Sequence, residues 1–134
     1  MAQEVLVKES LSREMISVGE QLARYLNDSA LEIDALLWLY LPDLNAWRFV
    51  IATPEVKANG PKSVYQKVRA IISEMPVEEQ RVESDDIMVL DSSDPLIQLL
   101  RIAIKTGAGI SGIRFSRNVI NGVLIEDAFI YKLV

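Results

Sequence analysis

The chain has 134 residues, half of them hydrophobic and a quarter charged, with a formal net charge of −5 and neither cysteine nor histidine. This balance suits a single globular domain over residues 1–134 and excludes a disordered chain. The missing residue types exclude disulfides, thiolate and imidazole metal sites, Ser–His and Cys–His catalysis and a histidine pH switch. The acidic total weighs against nucleic acid as a partner, because such binding draws its affinity from neutralised phosphates.

The first ten residues, MAQEVLVKES, show no basic segment leading into an apolar one, which predicts no secretory leader. The longest strongly apolar run, Ala35 to Leu41, is too short to cross a bilayer, so no membrane partner is expected. With no thiol to protect, a cytoplasmic location is expected. Val5, Leu6 and Val7 predict a short edge strand, and Ser10 stands where it would cap a helix. Leu11, Met15, Val18, Leu22, Tyr25 and Leu26 recur at helical spacing up to the turn-forming Asn27-Asp28-Ser29.

Leu31 to Leu41 and Trp47 to Ala52 predict an antiparallel hairpin around Pro42 to Asn45. That loop pairs Leu41 with Ala46, Tyr40 with Trp47, Trp38 with Phe49 and Leu36 with Ile51. The other face carries Ile33, Ala35, Leu37, Leu39, Val50 and Ala52. Both faces are apolar, so the hairpin belongs in the middle of the fold. If helices leave the aromatic face uncovered, it becomes an oligomer interface.

Gly60-Pro61 opens a second helix with a stripe of Val64, Tyr65, Val68, Ile71, Ile72 and Met75, stopped by Pro76. Glu78 to Asp86 is the most polar stretch and predicts a solvated loop. Ile87 to Leu90 predicts a short buried strand. Asp94 as cap and Pro95 at the first position begin a third helix, with Leu96, Leu99, Leu100, Ala103 and Ile104 inward and Gly107 just past its end. Asn121-Gly122 predicts a type I′ turn between strands Ile113 to Ile120 and Val123 to Leu133. In the last strand Val123, Ile125, Phe129, Tyr131 and Leu133 are expected on one face, interrupted by Asp127. Asp127 and Glu126 read as edge-strand charges that block aggregation. The expected fold is α/β (α+β): a mixed sheet of about five strands with three flanking helices, in the order α-β-β-α-β-α-β-β.

Asp34 lies in LEIDALL, and Glu55 and Lys57 follow the next strand in VIATPEVKANG. In the register above Asp34 is opposite Thr53, and an extended chain sets Glu55 diagonal to Asp34 on the same face, about 7–8 Å away by backbone. Pro54, just before Glu55, cannot donate to a strand ladder. Residues 19–72 resemble the PD-(D/E)XK, or restriction-endonuclease-like, superfamily, with an aspartate on one strand, Glu-x-Lys on the next, and Glu20 of the preceding helix in a matching position. The resemblance implies that Asp34 and Glu55 hold Mg²⁺ and that Lys57 orients or activates the attacking water. The same residues also read as a polar strand residue near the sheet edge and two solvated loop residues.

Asp91-Ser92-Ser93-Asp94 joins a strand to a helix and suits a cation or, more simply, capping by Asp94 and an Asx turn at Asp91. Thr106 to Gly112 is glycine-rich but follows a helix and lacks a closing lysine, so it matches no phosphate-binding loop. The chain as a whole reads as a non-catalytic binding or self-association domain that joins a protein partner or a second copy through its hairpins, without a cofactor. The alternative is an Mg²⁺-dependent nuclease, or a degenerate relative of one, using Asp34, Glu55, Lys57 and Glu20.

Overall fold

The computed structural model describes residues 7–134. Val5 and Leu6 of the expected first strand lie outside these residues, and Val7 has no strand structure. The elements in chain order are α1 (Arg13–Asp28), β1 (Ala35–Leu41), β2 (Ala46–Thr53), α2 (Glu55–Asn59), α3 (Pro61–Glu74), β3 (Ile87–Asp91), α4 (Pro95–Ala103), β4 (Ile113–Ile120) and β5 (Val123–Leu133). The strands form one mixed sheet in the order β3-β2-β1-β5-β4. β2 and β3 are parallel, and the other neighbours are antiparallel.

Ser12, not Ser10, caps α1: its Oγ accepts the Met15 backbone N–H at 3.0 Å. Extended Ser12 directly precedes the first turn and satisfies a donor that has no partner inside the helix. Leu22, Ala23 and Leu26 of α1 are buried against the sheet, and Met15, Val18 and Tyr25 pack at the margin. At Gly19 the helix comes so close to the sheet that a Cβ would collide with Trp38 Nε1 and Tyr131 Oη. The two polar tips bond to α1 itself. Trp38 Nε1 donates to the Met15 carbonyl at 3.0 Å, and the Tyr131 hydroxyl donates to the Ile16 carbonyl at 2.6 Å.

The first hairpin has the expected register, from Leu41 opposite Ala46 to Leu36 opposite Ile51. Asn45 closes its loop in the left-handed region with φ 44°, a conformation asparagine tolerates better than most residues. Leu36, Trp38, Tyr40, Trp47, Phe49 and Ile51 form one core with α1 and α3. Ala35, Leu37, Leu39, Val50 and Ala52 form a second core with Ile97 and Leu100 of α4. The aromatic face is therefore interior and not an interface. Ile33 joins the first core and not the second, because it precedes the strand and its alternation.

Among the described residues the three expected helices are present as α1, α3 and α4, and a short helix, α2, is added. Pro54 takes helical angles, φ −67° and ψ −12°, and α2 forms where a loop was expected. α4 ends at Ala103, before the expected Gly107, because Ile104 turns extended and packs on the second core. Its inward stripe is shifted too: Ile97 and Leu100 are buried, and Ala103 is exposed. Asn121 (φ 48°) and Gly122 (φ 79°) make the second hairpin turn, both left-handed as a type I′ turn requires. β5 does not keep one apolar face. Its pairing with β1 slips between Leu36 and Leu37, which leaves Tyr131 as an extra residue. Phe129 and Tyr131 pack in the first core and Leu133, beyond the slip, in the second, where Ile125 also packs.

Candidate functional site

The start of β1, the carboxyl ends of β2 and β3 and the end of β5 meet at one end of the sheet. Asp34 donates its backbone N–H to the Ala52 carbonyl at 2.9 Å and accepts the Val134 N–H at 3.0 Å. The Asp34 carboxylate lies 3.9 Å from Arg101 Nη2. Arg101 also donates to the Val134 carbonyl at 2.7 Å and to the Ser92 carbonyl at 3.4 Å. This arginine of α4 therefore ties the ends of β1, β3 and β5 together. Arg101 also lies in the last turn of α4, where the helix dipole favours a cation.

Glu55 faces elsewhere. Because Pro54 turns the chain into α2, the extended geometry that set Glu55 diagonal to Asp34 does not form. Lys67 of α3 donates to Glu55 Oε1 at 2.6 Å. That hydrogen bond, together with the lysine charge and the Glu32 backbone N–H, holds the Glu55 carboxyl below its ordinary range against a smaller effect of burial. The Lys57 backbone N–H donates to Asp91 Oδ1 at 2.9 Å. Glu20 sits on α1, 3.7 Å from Arg24 and half exposed. Asp34 thus turns to the helix that covers the second core, and Glu55 to one that covers the first. The two carboxylates face separate cations, Arg101 and Lys67. Among the described residues no group of three or more Asp and Glu side chains is placed to hold a metal ion.

The strand-to-helix junction after β3 is a capping structure. Asp91 Oδ2 accepts the Ser93 backbone N–H at 2.9 Å and its hydroxyl at 2.5 Å, and these bonds draw the Asp91 carboxyl below its usual range. Asp94 caps α4 through the Leu96 N–H at 2.9 Å. The Ser92 hydroxyl between them is buried without a hydrogen-bond partner among the described residues. The glycine-rich loop is pinned to β5: Thr106 and Leu133 exchange hydrogen bonds at 2.8 Å, and the Ser111 N–H donates to the Tyr131 carbonyl at 2.7 Å.

A second polar centre lies across the second hairpin. Asp127 is 3 % exposed and does not serve as an edge charge, since β5 is an inner strand. It accepts Arg114 at 2.7 and 2.6 Å, Ser116 at 2.7 Å and Lys8 at 2.9 Å. Burial pushes this carboxyl up, but the three donors together outweigh it and hold it well below the ordinary carboxylate range. The Arg114 guanidinium also lies 5.8 Å from the centre of the Trp47 ring, and Lys8 Nζ 4.8 Å from that of Tyr40.

The two outer strands differ in how their free edges are treated. On β3, the Val89 N–H donates to the Tyr65 hydroxyl at 3.0 Å, and that hydroxyl reaches the Ile87 carbonyl at 3.5 Å. On β4, among the described residues, the one side-chain contact to the strand's backbone is from its own Asn118 amide to the Ser116 carbonyl at 2.8 Å. Val119, Val123 and Leu124 at the hairpin tip are 67 %, 48 % and 56 % exposed. This asymmetry is not legible in the sequence, because strand order decides which strands are outermost. No protein-family model, no curated protein and no solved structure matches the chain.

Proposed function

We propose that the chain is a non-catalytic cytoplasmic binding domain that associates with a second copy of itself through the free edge of β4. The contrast between the outer strands carries this reading. An uncovered edge offers a row of backbone donors and acceptors to another strand, and proteins that stay monomeric usually blunt it. Tyr65 blunts β3 in this way, whereas β4 is eight residues long and ends in an exposed apolar tip.

A second copy suits the sequence of β4. Arg117, with φ 47°, kinks the strand, so the regular segment is Ile113 to Ser116. An antiparallel pairing of that segment about a two-fold axis at Phe115 places the two Phe115 rings side by side, a favourable cross-strand pair. Arg114 then lies beside the partner's Ser116, close to a second Asp127 carboxylate, and no like charges are opposed. The exposed tip supplies further apolar surface. Sedimentation velocity over a range of concentrations tests the reading. Wild type is expected to move from monomer to dimer as concentration rises, and a Val119→Lys/Leu124→Lys variant to stay monomeric with an unchanged circular dichroism spectrum. Wild type that remains monomeric into the high micromolar range removes the proposal.

A second reading is a degenerate relative of the PD-(D/E)XK nucleases. It is supported by the gathering of Asp34, the end of β2 and Asp91 at one end of the sheet, with Lys57 held there by its backbone. It requires Asp34 to leave Arg101 and Glu55 to leave Lys67 so that both face one Mg²⁺. DNA cleavage with Mg²⁺ or Mn²⁺ that Lys57→Ala abolishes is its expected result; equal, negligible cleavage by both proteins ends it.

A further inference from the structure

A cleft of about 430 Å³ opens between α3 and the connection from α1 to β1, within the size range of small-molecule sites. Lys67, Ala70, Ile71 and Glu74 line one wall. Their spacing of i, i+3, i+4 and i+7 places all four on one face of α3. Leu31 faces them from the other wall, and Glu55 stands at the Lys67 end. The nearby Ser29 hydroxyl is already engaged, donating to the Leu26 carbonyl at 2.6 Å and accepting the Leu31 N–H at 3.2 Å.

The charges in this cleft do not cancel. Lys67 is bonded to Glu55 at 2.6 Å and neutralises it. Glu74 lies two helical turns away, about 10 Å along the axis, and its carboxylate has no hydrogen bond or ion pair among the described residues. Between the two ends the walls are apolar: Leu31, Ala70 and Ile71. A ligand complementary to this arrangement has an apolar body and a positive end. An anionic ligand would face Glu74 and would also have to displace Glu55 from Lys67.

We propose that the cleft binds a small amphipathic amine, its hydrocarbon body over Leu31, Ala70 and Ile71 and its ammonium at the Glu74 carboxylate. The site is distinct from the β4 edge and does not depend on self-association. It is tested by titrating the full chain with hexylammonium, hexanoate and hexanol while following the backbone amide resonances of α3 by NMR. Hexylammonium is expected to cause saturable shifts along α3 and to bind about tenfold or more tightly than hexanoate or hexanol, the scale of one charge-assisted contact. Glu74→Gln, at an exposed position, is expected to remove that preference without altering the spectrum elsewhere. No saturable shift with hexylammonium at millimolar concentration, equal binding of hexanoate or hexanol, or unchanged amine affinity in Glu74→Gln would each overturn the proposal.

Discussion

At the scale of single residues, Asp127 shows how a buried charge is made tolerable. A carboxylate taken out of water is costly unless its lone pairs are filled. Here Arg114, Ser116 and Lys8 fill them, while the cations' own side chains stay 46 % and 36 % exposed. Removing the carboxylate therefore strands no buried cation, and Asp127→Asn is expected to cost about 1–3 kcal/mol near neutral pH. The pH dependence has a definite sign. The folded-state pKa is depressed, so the carboxylate's contribution is fully present above the unfolded value of about 4 and is lost progressively as pH falls from there toward the lower folded-state value. Urea unfolding at neutral and acid pH checks this. Wild type should lose stability below about pH 4, Asp127→Asn should lose less, and the gap between them should narrow. A gap that stays constant with pH would show that the carboxylate's charge is not what Asp127 contributes.

At the scale of elements, α1 approaches the sheet at Gly19 so closely that no Cβ fits there. A glycine in mid-helix normally favours replacement by alanine by about 1 kcal/mol. Here the added methyl would collide with Trp38 and Tyr131 and disturb their bonds to the Met15 and Ile16 carbonyls. Gly19→Ala should therefore destabilise, with overpacking on the order of 1–3 kcal/mol outweighing the helix gain. Thermal unfolding decides the sign, and a raised midpoint would contradict the packing described. The elements legible in the sequence are those with strong local signals. The register of the first hairpin follows from its Pro42–Asn45 loop and aromatic pairs, and the second turn from Asn121-Gly122. α2 was not legible, because five residues show no periodicity. The phase of α4 and the slip at Tyr131 are set by packing against distant strands. For the same reason Asp34 and Glu55 could be marked as notable carboxylates, but their cations, Arg101 and Lys67, could not. Each pair depends on how the helices sit on the sheet.

At the scale of the whole molecule, one sheet separates two cores, with α1 and α3 on one face and α4 on the other. Among the described residues no helix is long and apolar enough to cross a membrane. The sheet ends differently on its two sides. Beside β3 stands the Tyr65 hydroxyl, bonded to the Val89 N–H. Beside β4, among the described residues, no other element provides a backbone partner. A sheet finished on one side and open on the other has a direction in which another strand can be added, and β4 is where the proposed association acts. Amide hydrogen exchange measured at low and high protein concentration tests this most directly. The outward-facing amides between Ile113 and Ser116 should exchange quickly in dilute solution and become protected as concentration rises, while Val89, already bonded to Tyr65, stays unchanged. Exchange in β4 that is independent of concentration would contradict the account.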